Sequence, residues 1–317
     1  IPKAIASKNC EIRSESAVYR INTNKKGKIT SVSYIDKHGA QKSQRAKAVI
    51  VSANGAETPR LLLNSSNNLF PNGLANSSGF VGRNLMFNSH SIIRTVFEKQ
   101  LNDFKGVQVS RISHEFYETS EKRGFYGGGG IDARPFMASV PFLFAMIMSR
   151  PQGPRWGSEF KAHLENDFTR TMFLFGGGTS LPLDRNNITI DPTHKDKYGR
   201  PSLRITYKDH DDDLKLANFL QDRTMELAEA AGAKHAWREP IKPQERGAHL
   251  LGTCRMGNNP ATSVTNKNHK AHDISNLFIC DGSSMVTSGR GQPTMTIMAL
   301  AFRAAEKIIT AAKNNDI

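Results

Sequence analysis

Cysteine is scarce in this chain of 317 residues, which contains only Cys10, Cys254 and Cys280. No two of them form a C-x-x-C pair, and three scattered cysteines exclude a disulfide framework. The sequence also lacks any run of about 18 apolar residues, so it predicts no transmembrane helix. The first residues, IPKAIASKNCEI, do not show the successive regions of a signal peptide, and we expect no intact one.

Acidic residues are fewer than basic ones: 29 Asp and Glu stand against 43 Lys and Arg, which gives a net charge of +14. Such a charge can attract phosphates, acidic membranes or an acidic partner subunit. The basic residues are nevertheless spread along the chain, with no block interleaved with aromatic residues. We therefore expect a generally basic surface, or one half of a protein whose other half is acidic, and no nucleic acid among the partners.

The beginning of the chain combines a β pattern with a strand–helix pattern. Alternating segments on either side of the polar turn NKKGK predict a β-hairpin or meander within residues 10–36. The run AKAVIVSA, residues 46–53, predicts a strand buried on both faces of a parallel sheet. We expect Gly55 to end this strand, and Thr58 with Pro59 to begin a short helix. A buried strand that turns through glycine into a helix is one half of a nucleotide-binding α/β unit.

The middle of the chain has a different character. Strand-like segments such as HSIIRTVFE, FLFGGG, NNITIDP and PSLRITY alternate with loops rich in glycine and proline. The amphipathic segment DDDLKLANFLQDRTMELAEAAG follows, with acids at its start and glycine after its end. These patterns predict a mostly antiparallel sheet with helices packed on it. The segment YGGGGID, residues 126–132, lacks the spacing of a phosphate-binding loop, and we expect a flexible loop there.

The α/β pattern returns in the last part of the chain. The segment NLFICDGSSM predicts a buried strand that ends at Asp281 and Gly282. The segment PTMTIMALAFRAAEKIITAAK predicts a long helix opened by Pro293 and Thr294. The sequence therefore predicts an α/β chain, α+β overall, in which a β-rich part interrupts two α/β parts.

Four segments together resemble the glucose–methanol–choline (GMC) family of flavin oxidoreductases. They are AKAVIVSANGAETPRLLLNSS, GFVGRNLMFNSH at 79–90, HLLGTCRMG at 249–257, and NLFICDGSSMVTSGRGQPTMTIMALAFRAAEKI at 276–308. Their order and joint presence carry the resemblance, although Asn54 and Asn67 stand where the family usually has small residues or glycine. The glycine-rich G-x-G-x-x-G motif of the family and its first signature are absent, so the resemblance is to the C-terminal portion of such an enzyme.

The resemblance implies a domain organisation. Residues 1–80 and 246–317 would be parts of an FAD-binding, Rossmann-like domain, and the second part would contribute the active site. Residues 81–245 would form an inserted substrate-binding domain built on an antiparallel sheet. The glycine-rich turn that holds the cofactor pyrophosphate would then lie on a complementary N-terminal FAD-binding segment or chain.

A catalytic role for His249 is also implied. Taken alone, a histidine in GAHLLGTCRMG is either a satisfied core residue at a turn, or an imidazole facing something flat that the glycines allow the backbone to approach. In the family, the histidine of H-x-x-G-T faces the flavin and acts as base on the substrate hydroxyl, a transfer suited to a near-neutral pKa. The second active-site position, just before PT-x-T, is Gln292 here. Its amide would position the substrate oxygen but cannot act as a base.

The residues that the resemblance places at the FAD are Val18, Ala53, Gly55, Asp281, Gly282, Thr294 and Met295. Asp281 and Gly282 would lie at the carboxyl end of a strand, near the ribityl and pyrophosphate groups. The amides of Thr294 and Met295 would point the positive end of a helix at the flavin N1 and C2 carbonyl. The others would contact the adenine end.

We expect no metal site. His269 and His272 are spaced i, i+3 in the polar segment NKNHKAHD, but no further ligands accompany them. The sequence therefore predicts that both imidazoles are exposed to solvent.

The resemblance implies an FAD-dependent oxidoreductase acting on a sugar or another alcohol. His249 would remove the hydroxyl proton as hydride passes to flavin N5. Because GTCRMG and the last helix resemble bacterial sugar dehydrogenases, we expect an acceptor other than oxygen, reached through a cytochrome or quinone-linked subunit. We expect a periplasmic location, with the cytoplasm as the alternative. Two other functions stay open: a hydroxynitrile-lyase-like enzyme with a structural flavin, and a binding subunit without cofactor.

Overall fold

The computed structural model describes residues 1–107, 109, 111–134, 142, 144–148, 151, 153–242 and 249–317. Within them the helices are Pro2–Ala6 (α1), Asn54–Asn64 (α2), Gly157–Phe168 (α3), Asp211–Ala230 (α4) and Thr294–Lys313 (α5). The strands are Ala17–Thr23 (β1), Ile29–Ile35 (β2), Gln41–Arg45 (β3), Val49–Val51 (β4), Ser89–Phe97 (β5), Arg111–Ser113 (β6), Gly129–Arg134 (β7), Thr171–Gly178 (β8), Asn187–Lys195 (β9), Pro201–Thr206 (β10), Ala233–Arg238 (β11) and Leu277–Ile279 (β12). A π-helix, Phe144–Met148, and short 3₁₀ turns complete the regular structure.

A five-stranded antiparallel sheet, in the order β11-β5-β8-β7-β6, occupies the middle of the chain. Helix α4 packs on one face, where Ile131 of β7 contacts Leu216 and Leu220. Glycines on that face allow the helix to approach closely: a Cβ at Gly178 would lie 2.7 Å from the Leu216 side chain. The predicted antiparallel sheet and its helix are therefore present, but the predicted strands NNITIDP and PSLRITY lie outside it and form a separate antiparallel pair, β9-β10. Residues 126–132, expected to be a flexible loop, instead run into strand β7 at Gly129, where they pair with β8.

A parallel pair of strands joins the two ends of the chain. Strand β12 pairs with β4 in the register Leu277–Val49 to Ile279–Val51. This pairing brings residues from 1–80 beside residues from 246–317, as one shared domain would require. The division of the chain into domains stays a prediction, and its second boundary, between residues 245 and 246, lies outside the described residues. The expectation of a strand buried on both faces is wrong: Ile50 is 52% exposed, because none of the described residues covers that face of the short pair.

Helix α2 begins at Asn54, four positions before the predicted start, and it contains Pro59. The Asn54 side chain accepts hydrogen bonds from the amides of Ala56 and Glu57, at 2.8 and 3.2 Å, which satisfies donors at the helix start. Proline has no amide hydrogen, so the carbonyl of Gly55, four residues earlier, receives no helical hydrogen bond from it. The Thr253 hydroxyl donates to that carbonyl instead, at 2.7 Å.

The other predicted elements are present with small changes. The meander β1-β2-β3 is antiparallel, and α4 and α5 lie where the amphipathic segments predict them. The expectation of an exposed His269 is wrong: it is 1% exposed, because the segment before β12 folds back on that strand and brings its Nδ1 to 2.8 Å from the Ile279 carbonyl. His272 is half-buried and lies 2.9 Å from the Ser263 hydroxyl. Among the described helices, none combines the length and apolar character needed to cross a bilayer.

Candidate active site

The imidazole of His249 is oriented by Asn88, which lies 161 positions earlier in the chain. The His249 Nδ1 is 2.7 Å from the Asn88 Oδ1. The Asn88 amide nitrogen donates to three carbonyl oxygens, those of Gly178, Ser288 and Gly289, at 3.1, 3.4 and 3.3 Å. Because those carbonyls can only accept, the amide oxygen must face the histidine and accept from it. The Nδ1 atom therefore carries the hydrogen, and Nε2 keeps the lone pair of a base.

The backbone that follows His249 is fixed by contacts with the segment that contains Asn84 and Met86. Leu251 bridges to Met86 in antiparallel fashion. Gly252 has a φ of +89°, and a Cβ there would lie 2.3 Å from the Asn84 carbonyl oxygen. Gly252 is thus required by close packing against the segment that carries Asn88. This role differs from the one considered from the sequence, in which the glycines let the backbone approach something flat.

The electrostatic surroundings of His249 favour its neutral form. Burial of the half-buried ring lowers its pKa below the ordinary value, and the charge of Arg134 lowers it further. A hydrogen bond with the Gln292 side chain acts in the opposite direction without reversing the shift. His249 and Gln292, the two predicted active-site residues, are therefore brought together. A histidine that stays neutral near pH 7 is suited to accept a proton.

A cavity of about 340 Å³ is lined by Gln292 and by Ser288 and Gly289, whose carbonyls accept from Asn88; His249 is not among its lining residues. It is also lined by Asp132 and by Gly130 and Gly177, which pair across strands β7 and β8. Its other lining residues are Ile112, His114, Tyr117, Met285, Arg290, Gly291, Pro293, Met295 and Thr296. The cavity therefore combines apolar walls with a few polar groups, as small-molecule sites do.

The amino end of α5 lies at the edge of the cavity. No side chain caps the helix, whose N-cap residue is Pro293, and Thr294 and Met295 are exposed. The first amides of an uncapped helix form a positive end that stabilises negative charge. Met295 and Phe302 are 73% and 74% exposed, which leaves an apolar surface along the same helix. This donor set and apolar surface fit a flat group that becomes negatively charged, as a flavin does on reduction.

Asp281 joins the start of α2 to the turn after β12. Its Oδ2 accepts from the Asn54 amide at 3.0 Å and from the Thr58 hydroxyl, and its Oδ1 accepts from the Ser283 amide at 2.8 Å. The residue is 9% exposed. Both oxygens are thus engaged within the chain, which gives Asp281 a structural role. Its predicted contact with the cofactor stays a prediction.

The remaining predicted cofactor residues differ in their surroundings. Gly55 and Gly282 are buried against one segment: a Cβ at Gly55 would lie 2.3 Å from the Leu250 carbonyl oxygen, and one at Gly282 would lie 2.7 Å from the Leu251 side chain. Close packing explains both glycines. Ala53 is half-buried at the N-cap of α2, and Val18 of β1 is 45% exposed. The structure groups Ala53, Gly55, Asp281 and Gly282 around the start of α2, while Thr294 and Met295 lie beside the cavity.

Two models described as GMC oxidoreductase match the chain, over residues 1–90 and 182–301. The chain belongs to the GMC oxidoreductase family. This family comprises FAD-binding oxidoreductases, in agreement with the cofactor and enzyme class expected from the sequence. The α/β fold class is likewise confirmed.

Several known proteins are similar to this chain. It is 41% identical over 311 residues to 2-methyl-1,2-propanediol dehydrogenase of Mycolicibacterium austroafricanum, covering 97% of this chain and 55% of that protein. It is 30% identical over 305 residues to the fructose dehydrogenase large subunit of Gluconobacter japonicus, covering 94% and 54%. An FAD-dependent oxidoreductase from Chaetomium thermophilum has a similar fold, with a TM-score of 0.60, 13% identity, and coverage of 99% and 64%. The chain spans about half the length of the curated relatives it matches.

Among the site residues that the sequence did not single out are Asn88, Asp132 and Arg134. Asn88 ends the segment LMFN, where a polar residue after apolar ones was the available signal. Asp132 and Arg134 follow a run of glycines that indicated a loop. In GIDAR, the apolar Ile131 and Ala133 alternate with Asp132 and Arg134, and this alternation was the signal of a strand with one polar face.

Proposed function

We propose that the complete protein is an FAD-dependent dehydrogenase that oxidises a sugar or another alcohol, with His249 as the base. The observation that carries the proposal is the contact between His249 and Asn88, which leaves Nε2 unprotonated beside Gln292. A cavity of about 340 Å³ lined by Gln292 gives room for a small substrate. The relatives named as a diol dehydrogenase and a fructose dehydrogenase support the same substrate class.

The residues of this chain would act on the proton and on the orientation of the substrate. Nε2 of His249 accepts the proton of the substrate hydroxyl, and the Asn88 oxygen stabilises the resulting imidazolium through Nδ1. The Gln292 amide hydrogen-bonds the substrate oxygen and fixes its direction. Bound FAD supplies the hydride acceptor, at the flavin N5 position.

The cofactor would be held by both ends of the chain. We propose that the amides of Thr294 and Met295 face the flavin, since the amino end of α5 is uncapped and adjoins the cavity. We propose that Asp281, Gly282, Ala53, Gly55 and Val18 lie toward the ribityl, pyrophosphate and adenine groups. Their grouping around the start of α2 supports a shared position, with Val18 as the exception.

Other components are proposed from the resemblance. A complementary N-terminal segment or chain would supply the glycine-rich pyrophosphate turn. An electron-acceptor subunit, cytochrome or quinone-linked, would receive the electrons in place of oxygen, and the relative named as a large subunit supports such an assembly. We propose a periplasmic location from the likeness to bacterial sugar dehydrogenases.

Anaerobic mixing of the complete flavoprotein with polyols and simple alcohols tests the proposal. Dehydrogenase activity predicts that the visible flavin absorbance disappears on mixing and returns when a quinone is added. If no alcohol bleaches the flavin, the proposal is wrong. Cleavage of a hydroxynitrile without flavin bleaching would instead support the lyase alternative.

A further inference from the structure

Strand β7 places a charged pair on the side of the sheet that faces the cavity. Side chains alternate along a strand, so Gly130, Asp132 and Arg134 share one face while Ile131 packs on α4 from the other. Asp132 lines the cavity together with Gln292, yet only 6% of its surface is exposed. A carboxylate this buried beside a substrate cavity requires a partner.

The partner is Arg134, two residues along the same strand. Its Nε donates to one oxygen of Asp132, and its Nη2 donates to the other at 2.7 Å. The guanidinium lies over the ring of Phe175, with 4.0 Å between its carbon and the ring centroid. Phe175 in turn stacks on His90, with centroids 5.6 Å apart. The pair is thus fixed by two hydrogen bonds and by packing on an aromatic ring.

The pairing of Asp132 with Arg134 determines the net charge next to the substrate cavity. Arg134 does not line the cavity itself, but it is hydrogen-bonded to Asp132, which does, so its charge lies next to the site and would attract a carboxylate. Asp132 offsets part of that charge through the bidentate contact. A carboxylate has about four acceptor positions, and Arg134 uses two of them. The others remain for hydroxyl donors.

We propose that the Asp132–Arg134 pair makes the site selective for a small neutral polyol over a hydroxy acid, with Asp132 accepting a hydrogen bond from a second hydroxyl of the substrate. This inference rests on the proposed function, because it specifies the substrate of the same site. The cavity volume is at the lower end of the range of about 300–1,000 Å³ found for small-molecule sites. That size leaves room for a diol or triol.

Binding of two compounds that cannot be oxidised tests the proposal without turnover. Pinacol is a neutral vicinal diol, and 2-hydroxy-2-methylpropanoate is a hydroxy acid; neither has a hydrogen on its carbinol carbon. Dissociation constants are measured by isothermal titration calorimetry with the complete flavoprotein. The wild type is expected to bind pinacol more tightly than the acid. Asp132→Asn should shift the ratio of the two constants at least about tenfold toward the acid, since a hydrogen bond to a charged group is lost and Arg134 is left uncompensated.

Arg134→Gln supplies a second variant with an effect of opposite sign. It removes the positive charge and leaves the carboxylate, so the ratio should shift away from the acid. Asp222→Asn is a matched control, because it breaks an exposed Asp–Arg pair with Arg238 that is not part of the cavity lining. It should leave the ratio unchanged.

Opposite shifts in the Asp132 and Arg134 variants support the proposal, and unchanged ratios or shifts of the same sign overturn it. If one variant fails to fold, the other decides alone: a shift in its expected direction supports the proposal, and no shift or the opposite shift overturns it. Failure of the proposed function is distinguishable, because it shows as a flavin that no alcohol bleaches while the binding ratios are still measured.

Discussion

The Nδ1 atom of His249 lies 2.7 Å from the Oδ1 atom of Asn88, and this contact determines which imidazole nitrogen is free to accept a proton. Asn88 cannot rotate its amide without placing its oxygen against the carbonyls of Gly178, Ser288 and Gly289. Two distant segments of the chain therefore combine to prepare one base. The dependence of His249 on Asn88 is open to direct measurement.

Asn88→Ala removes the acceptor for Nδ1 and allows the other tautomer. Flavin reduction by an alcohol should slow by about 10–100-fold, the effect seen when a residue that orients a metal-binding histidine is lost. Stopped-flow measurement of the anaerobic reduction rate checks this. A rate equal to that of the wild type would show that Asn88 does not control the base.

Asn88→Asp changes the pH dependence in a definite direction. The pKa of His249 lies below its ordinary value, so the base should remain neutral to lower pH than a free histidine. A carboxylate beside Nδ1 favours the imidazolium and raises that pKa. The rising limb of the reduction rate against pH should therefore move to higher pH. An unchanged limb would indicate that another group titrates.

Gln292→Ala tests substrate positioning. The side chain has no group that can act as a base, so its removal should raise the substrate concentration needed for half-maximal reduction more than it lowers the limiting rate. Both quantities come from reduction rates measured over a range of alcohol concentrations. If the half-maximal concentration is unchanged, Gln292 does not contact the substrate.

Thr253→Val tests how two motif segments are joined. Pro59 has no amide hydrogen to donate to the Gly55 carbonyl, so this carbonyl depends on the Thr253 hydroxyl. Its loss would leave a buried carbonyl unsatisfied, which costs about 1–3 kcal/mol in the free energy of unfolding. Thr253→Ser keeps the hydroxyl and serves as control. Adding Pro59→Ala should recover part of the loss, because alanine returns an amide hydrogen four residues after Gly55. Urea denaturation of the single and double variants measures the coupling, and strictly additive effects would contradict it.

A helix or strand could be predicted from the sequence where its local pattern agrees with the way it packs in the fold. Helix α4 carries acids at its start and glycine after its end, and these signals are local. The start of α2 could not be predicted in this way, because Pro59 indicates a first turn while Asn54 and Thr253 provide the hydrogen bonds that extend the helix backwards. Local proline rules were overridden by a partner about 200 positions away.

The active-site residues likewise include some that could be predicted from the sequence and others that could not. His249 and Gln292 stand in segments that resemble a family pattern, so their roles could be expected. Asn88 is visible as a partner only once Gly252 packs against Asn84 and brings the two segments together. The Asp132–Arg134 pair required knowledge of which strand face meets the cavity, and a run of glycines concealed that strand.

The most direct test of the account is the rate of anaerobic flavin reduction in His249→Ala, with flavin content measured in the same sample. The account predicts a rate lower by about 10²–10⁴-fold with the flavin still bound. His38→Ala, at an exposed turn between β2 and β3, should match the wild type. Reduction at the wild-type rate in a His249→Ala protein that retains its flavin would contradict the assignment of His249 as the base.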